Sequence, residues 1–197
     1  MTGRGRGRGL ALALAIMATS GPASAVELAG WRAGAEAATM DKGQRFTCEG
    51  GDCPAGGLQC LYAVSPGEPG KGRTLRVHDM LRPKSFPWKD FEIWVAMKAG
   101  EIRPELANAS STLKANDAAR LARLGERDFM RRSYTMNAAA AKETVEVGLW
   151  VTDNQLNAAI CAVNAVDRPL AETRIDVFFG ALNTSPPAPP YDPLAQQ

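Results

Sequence analysis

Apolar and polar residues alternate with a period of two along much of the chain, which is the pattern of half-buried β-strands. The clearest alternation covers residues 91–97, and a second covers residues 145–151. Weaker alternation and short apolar runs predict further strands at residues 46–48, 58–64, 75–78, 129–136, 156–166 and 175–179. The segment 156–166 is equally compatible with a buried helix, because periodicity does not separate the two in a short apolar run.

A helical period is found in one segment, residues 117–127. Asn116 precedes this segment and is a residue type that caps helix N-termini with its side-chain oxygen. Leu121 and Leu124 would be the apolar anchors of the helix. Strands outnumber helices and follow one another without the intervening helices that a parallel sheet requires. We therefore predict an α+β domain, a mainly antiparallel β-sheet with one or two packed helices, stapled by disulfides.

The first 25 residues have the three-part build of a secretory signal peptide. Three arginines precede a short apolar run at residues 10–17, and a small-x-small cleavage site follows at residues 23–25. The run is far shorter than the roughly 20 residues that span a bilayer. We therefore expect residues 1–25 to be a cleaved signal peptide rather than a membrane anchor.

Cleavage would leave 172 of the 197 residues, enough for one domain with its own core. We expect that domain at residues 26–182, and a tail at residues 183–197 that holds five of the 13 prolines and is extended or disordered. The chain has 23 Lys and Arg against 21 Asp and Glu. Three of the arginines lie in the leader, which leaves 20 against 21 and a net charge of −1. This balance predicts no general attraction to nucleic acid, and we expect no stable membrane insertion.

The four cysteines all lie in the predicted mature region, and outside the cytoplasm an even number of cysteines indicates disulfides. We favour the pair Cys48–Cys53, which closes a Gly-rich turn. The second pair is then Cys60–Cys161, which joins two apolar segments. The sequence alone leaves the other two pairings open.

A metal site is the alternative interpretation of the same cysteines. Cys48, Cys53 and Cys60 could supply three thiolates, and His78, the one histidine, could supply an imidazole. The gaps of four and six residues match poorly the roughly two to four residues that separate paired zinc ligands. Exported thiols also tend to be oxidised, so we expect no metal and no cofactor.

A Ser-His-Asp triad would have to use His78, the one histidine of the chain, because it needs an imidazole. The sequence contains no Gly-x-Ser-x-Gly motif of the kind that presents a nucleophilic serine. Paired acids could do acid–base chemistry, for example Asp90 with Glu92 or Glu143 with Glu146. With 21 acids in the chain, however, such pairs are inevitable.

The tryptophans offer a candidate ligand or partner surface. Trp94 and Trp150 both fall opposite the aliphatic stripe of their predicted strands, so neighbouring strands would place them in one aromatic patch. The alternative is that a helix or loop covers this face as a second core layer. Basic groups on other predicted strands could extend the surface toward an anionic ligand: Arg76, His78, Arg131 and Arg132.

These features predict a non-catalytic accessory or binding protein that is periplasmic or secreted. Its expected partner is a protein or a small ligand in the cell envelope. The support is mostly negative, since the core is well patterned and no assembled chemistry is visible in the sequence. The alternatives are a small hydrolase that uses His78 with nearby carboxylates, and a metal-handling protein that uses the segment 48–60.

Overall fold

The computed structural model describes residues 26–36, 38–65, 76–81, 86–107, 113–124, 127–137, 142–152 and 155–182. The predicted signal peptide, residues 66–75 and the proline-rich tail lie outside these residues. The described strands are β1 (Trp31–Ala33), β2 (Gln44–Cys48), β3 (Leu58–Val64), β4 (Leu113–Ala115), β5 (Arg120–Leu124), β6 (Arg127–Asn137), β7 (Lys142–Thr152) and β8 (Gln155–Asn164). The helices are α1 (Trp88–Ile102) and α2 (Arg168–Leu182), with 3-10 turns at Val77–Leu81 and Pro104–Leu106. In this part of the chain no helix is long and apolar enough to span a membrane.

The strands form one antiparallel sheet in the order β1-β2-β3-β8-β7-β6-β4, and β5 pairs with β6 beside β4. The predicted hairpin around the Gly-rich turn is formed by β2 and β3, with Phe46 opposite Cys60. The strands predicted at 129–136 and 145–151 lie within β6 and β7, and the ambiguous segment 156–166 is the strand β8. The predicted α+β architecture is confirmed.

Side chains of the central strands alternate between two buried faces, each covered by a helix. On β7, Val145, Val147 and Leu149 are fully buried on the α1 side of the sheet. Trp150 points to the α2 side, where it is 2% exposed. Because both faces are buried, β8 is a continuous apolar run at residues 158–163 rather than an alternation.

The segment with the clearest alternation, residues 91–97, is part of α1, so the predicted strand is wrong. Phe91, Val95 and Ala99 recur every four residues and pack onto the sheet. Ile93 and Met97 make up the other half of the apparent alternation, and they are 56% and 57% exposed. A helix with apolar residues on its outer face thus mimics a period of two.

The last predicted strand, residues 175–179, is also wrong, because these residues belong to α2. Ile175, Phe178 and Phe179 have the spacing of one helical face, and they are buried against the sheet. A Cβ atom added at Gly148 would lie 3.0 Å from the Phe179 ring. The glycine therefore allows α2 to pack closely on β7.

The predicted helix at 117–127 is a further error, since residues 120–124 form β5. Leu124 packs toward α2, whereas Leu121 is 36% exposed, so the two leucines lie on opposite faces of a strand. Backbone pairing with β6 overrides the helical preference of this Ala-, Leu- and Arg-rich segment.

Two disulfides link the cysteines in the pairing favoured from the sequence. Cys48–Cys53 closes the turn after β2, with a sequence separation of 5. Cys60 and Cys161 are register partners on β3 and β8, fully buried on the α2 side of the sheet, with a separation of 101 residues. The second disulfide therefore joins an early strand to a late one inside the core.

Removing the Cys60–Cys161 disulfide should destabilise the protein more than removing Cys48–Cys53. Loop-closure entropy in the unfolded chain contributes roughly 4–5 kcal/mol for a loop of about 100 residues and roughly 2 kcal/mol for one of about five. We expect C60A/C161A to lower the free energy of unfolding about twice as much as C48A/C53A, as measured by urea denaturation. Equal losses, or a larger loss from C48A/C53A, would contradict this role of the buried disulfide.

Candidate functional site

The predicted aromatic patch does not form, because Trp94 and Trp150 lie on opposite sides of the sheet. Trp94 is on α1, half-buried, and its Nε1–H donates to the carbonyl oxygen of Met40 at 3.4 Å. Trp150 is on β7 in the α2-side core, where its ring stacks on Tyr62 with centroids 5.9 Å apart. The prediction failed because it took residues 91–97 for a strand.

His78 lies in the 3-10 turn Val77–Leu81 near β5 and β6, not on the predicted strand. Its side chain is 61% exposed, and Nε2 is 3.5 Å from Oδ2 of Asp128. Asp128 also pairs with Arg123, whose Nε is 3.3 Å from Oδ1. Arg76 is half-buried immediately before the turn. The structure thus gives His78 one carboxylate neighbour in an exposed charged cluster.

The paired acids considered for acid–base chemistry are separated by the fold. Glu143 and Glu146 are three residues apart on β7, so their side chains face opposite sides of the sheet. Asp90 and Glu92 are on α1, where two residues differ in direction by roughly 200°. Neither pair converges on a common point.

A cleft of about 510 Å³ opens on the α1 side of the sheet, at the N-terminal end of α1. Helix α1, β6, the 3-10 turn before α1 and the connection from β4 to β5 all contribute to its wall. The lining residues are Met80, Leu81, Trp88, Lys89, Glu92, Ala118, Ala119 and Arg132. Its wall is mainly apolar with a few charged groups, and it is an open groove rather than an enclosed cavity.

Arg132 is the charged cleft residue whose position is held by its surroundings, because four neighbours contact its guanidinium. The guanidinium carbon lies 4.7 Å from the ring centroid of Trp88 and 5.3 Å from that of Tyr134, both cation–π distances. Nη1 donates to Oε1 of Glu92 at 2.9 Å, and Nε donates to the carbonyl oxygen of Asp117 at 3.3 Å. The charge is thus fixed in place on β6.

The cleft exists because β4 and β5 pair with different parts of β6 and leave Arg132 and Ser133 between them. Residues between β4 and β5 supply some of the hydrogen bonds that a paired strand would otherwise make to this part of β6. The backbone N–H of Asn116 donates to the carbonyl of Ser133 at 2.9 Å, and Oδ1 of Asp117 accepts from the Ser133 N–H at 3.3 Å. After these contacts, residues 118–119 form the cleft wall.

Among its described lining residues, the cleft has one more positive than negative charge. Lys89 is exposed at the rim, and no ion-pair partner for it is found among the described residues. Arg132 is balanced by Glu92. Tyr134, whose ring lies against Arg132, has a buried hydroxyl without a hydrogen-bond partner in the described part of the chain. Burial raises the pKa of Tyr134 far above its ordinary 10.0, although Arg132 opposes the shift, so the hydroxyl remains a neutral donor.

A separate ionic cluster on the other side of the sheet ties α2 to β6 and β7. Glu146 is 1% exposed and accepts from Nε of Arg131 at 3.2 Å and Nε of Arg168 at 2.9 Å. Arg131 also donates from Nη1 to Asp176. Burial acts to lower the pKa of Arg131, but Glu146 and Asp176 outweigh it and raise that pKa above its ordinary value. Two cations and two anions balance, and we interpret the cluster as structural.

Glu143, on the α1 side of the sheet, is also buried, but fewer positive charges lie close to its carboxylate than to that of Glu146. Its Oε2 lies 4.0 Å from Nε of Arg103, and neither atom has a hydrogen-bond partner in the described residues. Burial raises the pKa of Glu143 above its ordinary 4.5, and Arg103 opposes this shift only in part. Arg103 directs Nη2 instead to the carbonyls of Gly56 and Gly57, at 3.1 and 2.7 Å.

The alternative of a metal site in the segment 48–60 is wrong. Cys48, Cys53 and Cys60 are all in disulfides, so none of them is a thiolate that could bind a metal. Over the residues that the structure describes, no group of three or more His, Cys, Asp or Glu side chains is arranged to hold a metal ion.

Trp88 and Lys89 were not predicted as site residues. Glu92 was considered only as a partner of Asp90, and Arg132 only as a strand arginine that could bind an anionic ligand. A usable signal was Pro87, since proline is common where helices begin. A helix starting at that point places Trp88 and Glu92 four residues apart on one face.

Comparisons with known protein families and with curated proteins find no match. Among solved structures, the fold is similar to the solution structure of cyanobacterial PsbP (CyanoP) from Synechocystis sp. PCC 6803. The TM-score is 0.41 and the sequence identity 9%, over 82% of this chain and 96% of that chain. A similarity at this level carries no inference about function.

Glu143→Gln should leave the protein at least as stable as the wild type at neutral pH and should remove part of its pH dependence. Because the folded-state pKa is raised, protonated Glu143 favours the folded state. The wild-type free energy of unfolding should therefore fall as pH rises from about 4.5 through the raised pKa, and this part of the fall should be absent in the variant. Urea denaturation at a series of pH values measures both effects.

Glu146→Gln is the matched control on the same strand. Removing one partner of a buried ion pair leaves uncompensated charge, here one excess positive charge shared by Arg131 and Arg168 beside Asp176, and costs about 3–5 kcal/mol. Equal destabilisation by the two substitutions would show that the two glutamates are held alike, contrary to the contacts described above.

Proposed function

We propose that this protein is a non-catalytic binding protein that is exported and acts as an accessory factor in the cell envelope. The signal-peptide pattern of residues 1–25 supports export, with a mature domain at 26–182. Two disulfides support it independently, because such bonds persist in oxidising compartments. The partner is a protein segment or a small ligand.

The observation that carries the binding proposal is the cleft with Arg132 as its ordered charge. The guanidinium is already held by Trp88 and Glu92, so a ligand would not have to immobilise a flexible side chain. Apolar walls from Leu81 and Ala119, both partly exposed, supply contact area, and the exposed ammonium of Lys89 is available at the rim.

Binding fits the lining of this cleft better than catalysis does. A reaction needs a nucleophile or an acid–base group placed against the substrate. The charged groups here are Lys89, Arg132 and a Glu92 that is already paired, a set that suits electrostatic recognition. The alternative hydrolase would use His78 with Asp128, a pair outside the cleft lining.

Aromatic carboxylates should bind in the cleft, and the matching neutral amides should bind more weakly. The probes are added to the mature chain and followed by two-dimensional amide NMR, where we expect saturable shifts at residues 88–92 and 116–119. Trp88→Ala should weaken binding roughly 5- to 150-fold, corresponding to the roughly 1–3 kcal/mol that a stacked aromatic contributes. Lys89→Glu, at an exposed position where folding is not at risk, should weaken the carboxylates selectively.

Two controls separate this proposal from its alternatives. Leu170→Ala removes an apolar side chain that is 68% exposed on α2, and it should leave binding unchanged. His78→Ala should also leave it unchanged. Shifts confined to surfaces away from the cleft would contradict the proposal, and so would hydrolysis of ester probes that His78→Ala abolishes.

A further inference from the structure

We propose that the cleft binds extended proline-rich segments that carry an acidic residue, and that one such segment is the chain's own residues 183–197. The segment would dock within its own molecule and would have to be displaced by an external partner. This inference rests on the proposed function, since both use the same cleft.

The described chain ends close to the edge strand that leads to the cleft. A Cβ atom added at Gly180 of α2 would lie 3.8 Å from Cβ of Leu124, so the end of α2 contacts the end of β5. Strand β5 begins at Arg120, directly after the cleft residues Ala118 and Ala119. The described chain therefore ends beside one end of β5, on the α2 side of the sheet, and the cleft lies at the other end of β5, on the α1 side.

The segment is long enough to make this connection. From Leu124 back to Ala119 is about 17 Å at the rise of a β-strand. A polyproline II chain rises about 3.1 Å per residue, so seven residues after Leu182 cover about 22 Å. Residues from about 189 onward thus reach the cleft. Leu121 lies along this path on the same side of the sheet as the cleft, and its 36% exposed side chain offers an apolar contact.

The chemistry of the segment complements the cleft. It contains the run Pro-Pro-Ala-Pro-Pro-Tyr-Asp-Pro at 186–193. Proline-rich segments dock on aromatic-lined grooves because their extended form loses little entropy on binding. The half-buried indole of Trp88, backed by Phe86 with centroids 4.9 Å apart, supplies the aromatic surface. Asp192 would meet the excess positive charge that Lys89 gives to the rim.

The test compares the amide NMR spectra of residues 26–197 and of residues 26–182. We expect shift differences at the Trp88 indole N–H and at the amides of residues 116–119. A synthetic peptide of residues 183–197, added to the shorter chain, should move these signals toward their positions in the longer chain. The same peptide should bind the longer chain at least tenfold more weakly, because the tethered segment competes at an effective concentration in the millimolar range.

Single substitutions within the segment add a matched comparison. Asp192→Asn in the longer chain should move the cleft signals part of the way toward those of the shorter chain, and Thr184→Ala, close to the end of α2, should not. Both changes lie outside the described domain and leave its core intact.

Coincident spectra of the two chains at the cleft would overturn the proposal. Shift differences that grow with protein concentration would also overturn it, because they would identify a second copy as the source of the segment. If aromatic carboxylates bind in the cleft and the peptide does not, this inference fails and the proposed function stands. If neither binds, both fail.

Discussion

The rest of the structure depends on the burial of β7 and β8 on both faces. Their side chains fill two separate cores, one under α1 and one under α2. Alternate residues of the same two strands therefore pack against different helices. The Cys60–Cys161 disulfide fixes β3 to β8 within the second core. Within the sheet, the outer strands β4 and β5 both pair with β6, and the irregular pairing that forms the cleft lies there.

The central strands could be predicted because long apolar or alternating runs such as residues 145–151 leave few other structures. The helices could not, for a physical reason. Ile93 and Met97 are apolar but exposed on α1, and they complete a false period of two with the buried Phe91 and Val95. The segment 120–124 was wrongly predicted as a helix. Its pairing with β6 is a long-range contact, and local helix propensity carries no information about such contacts.

The disulfide pairing could be predicted from the sequence because Cys60 and Cys161 both lie in apolar runs and the other two cysteines flank glycines. The cleft could not be predicted, since it arises where two short strands share one edge of β6. Only the register shows that Arg132 falls between them and that Asp117 takes the place of a backbone partner. Irregular edge pairing of this kind often re-aims side chains at binding sites.

The most direct test of the cleft as the binding surface is photo-crosslinking in the cell envelope. A photoreactive amino acid is placed at Ala118, an exposed residue in the cleft wall, or at Leu170, an exposed residue on α2. Our account predicts a defined crosslinked product from position 118 and none from position 170. A product from position 170 alone would contradict it and would place the binding surface on the α2 side of the sheet.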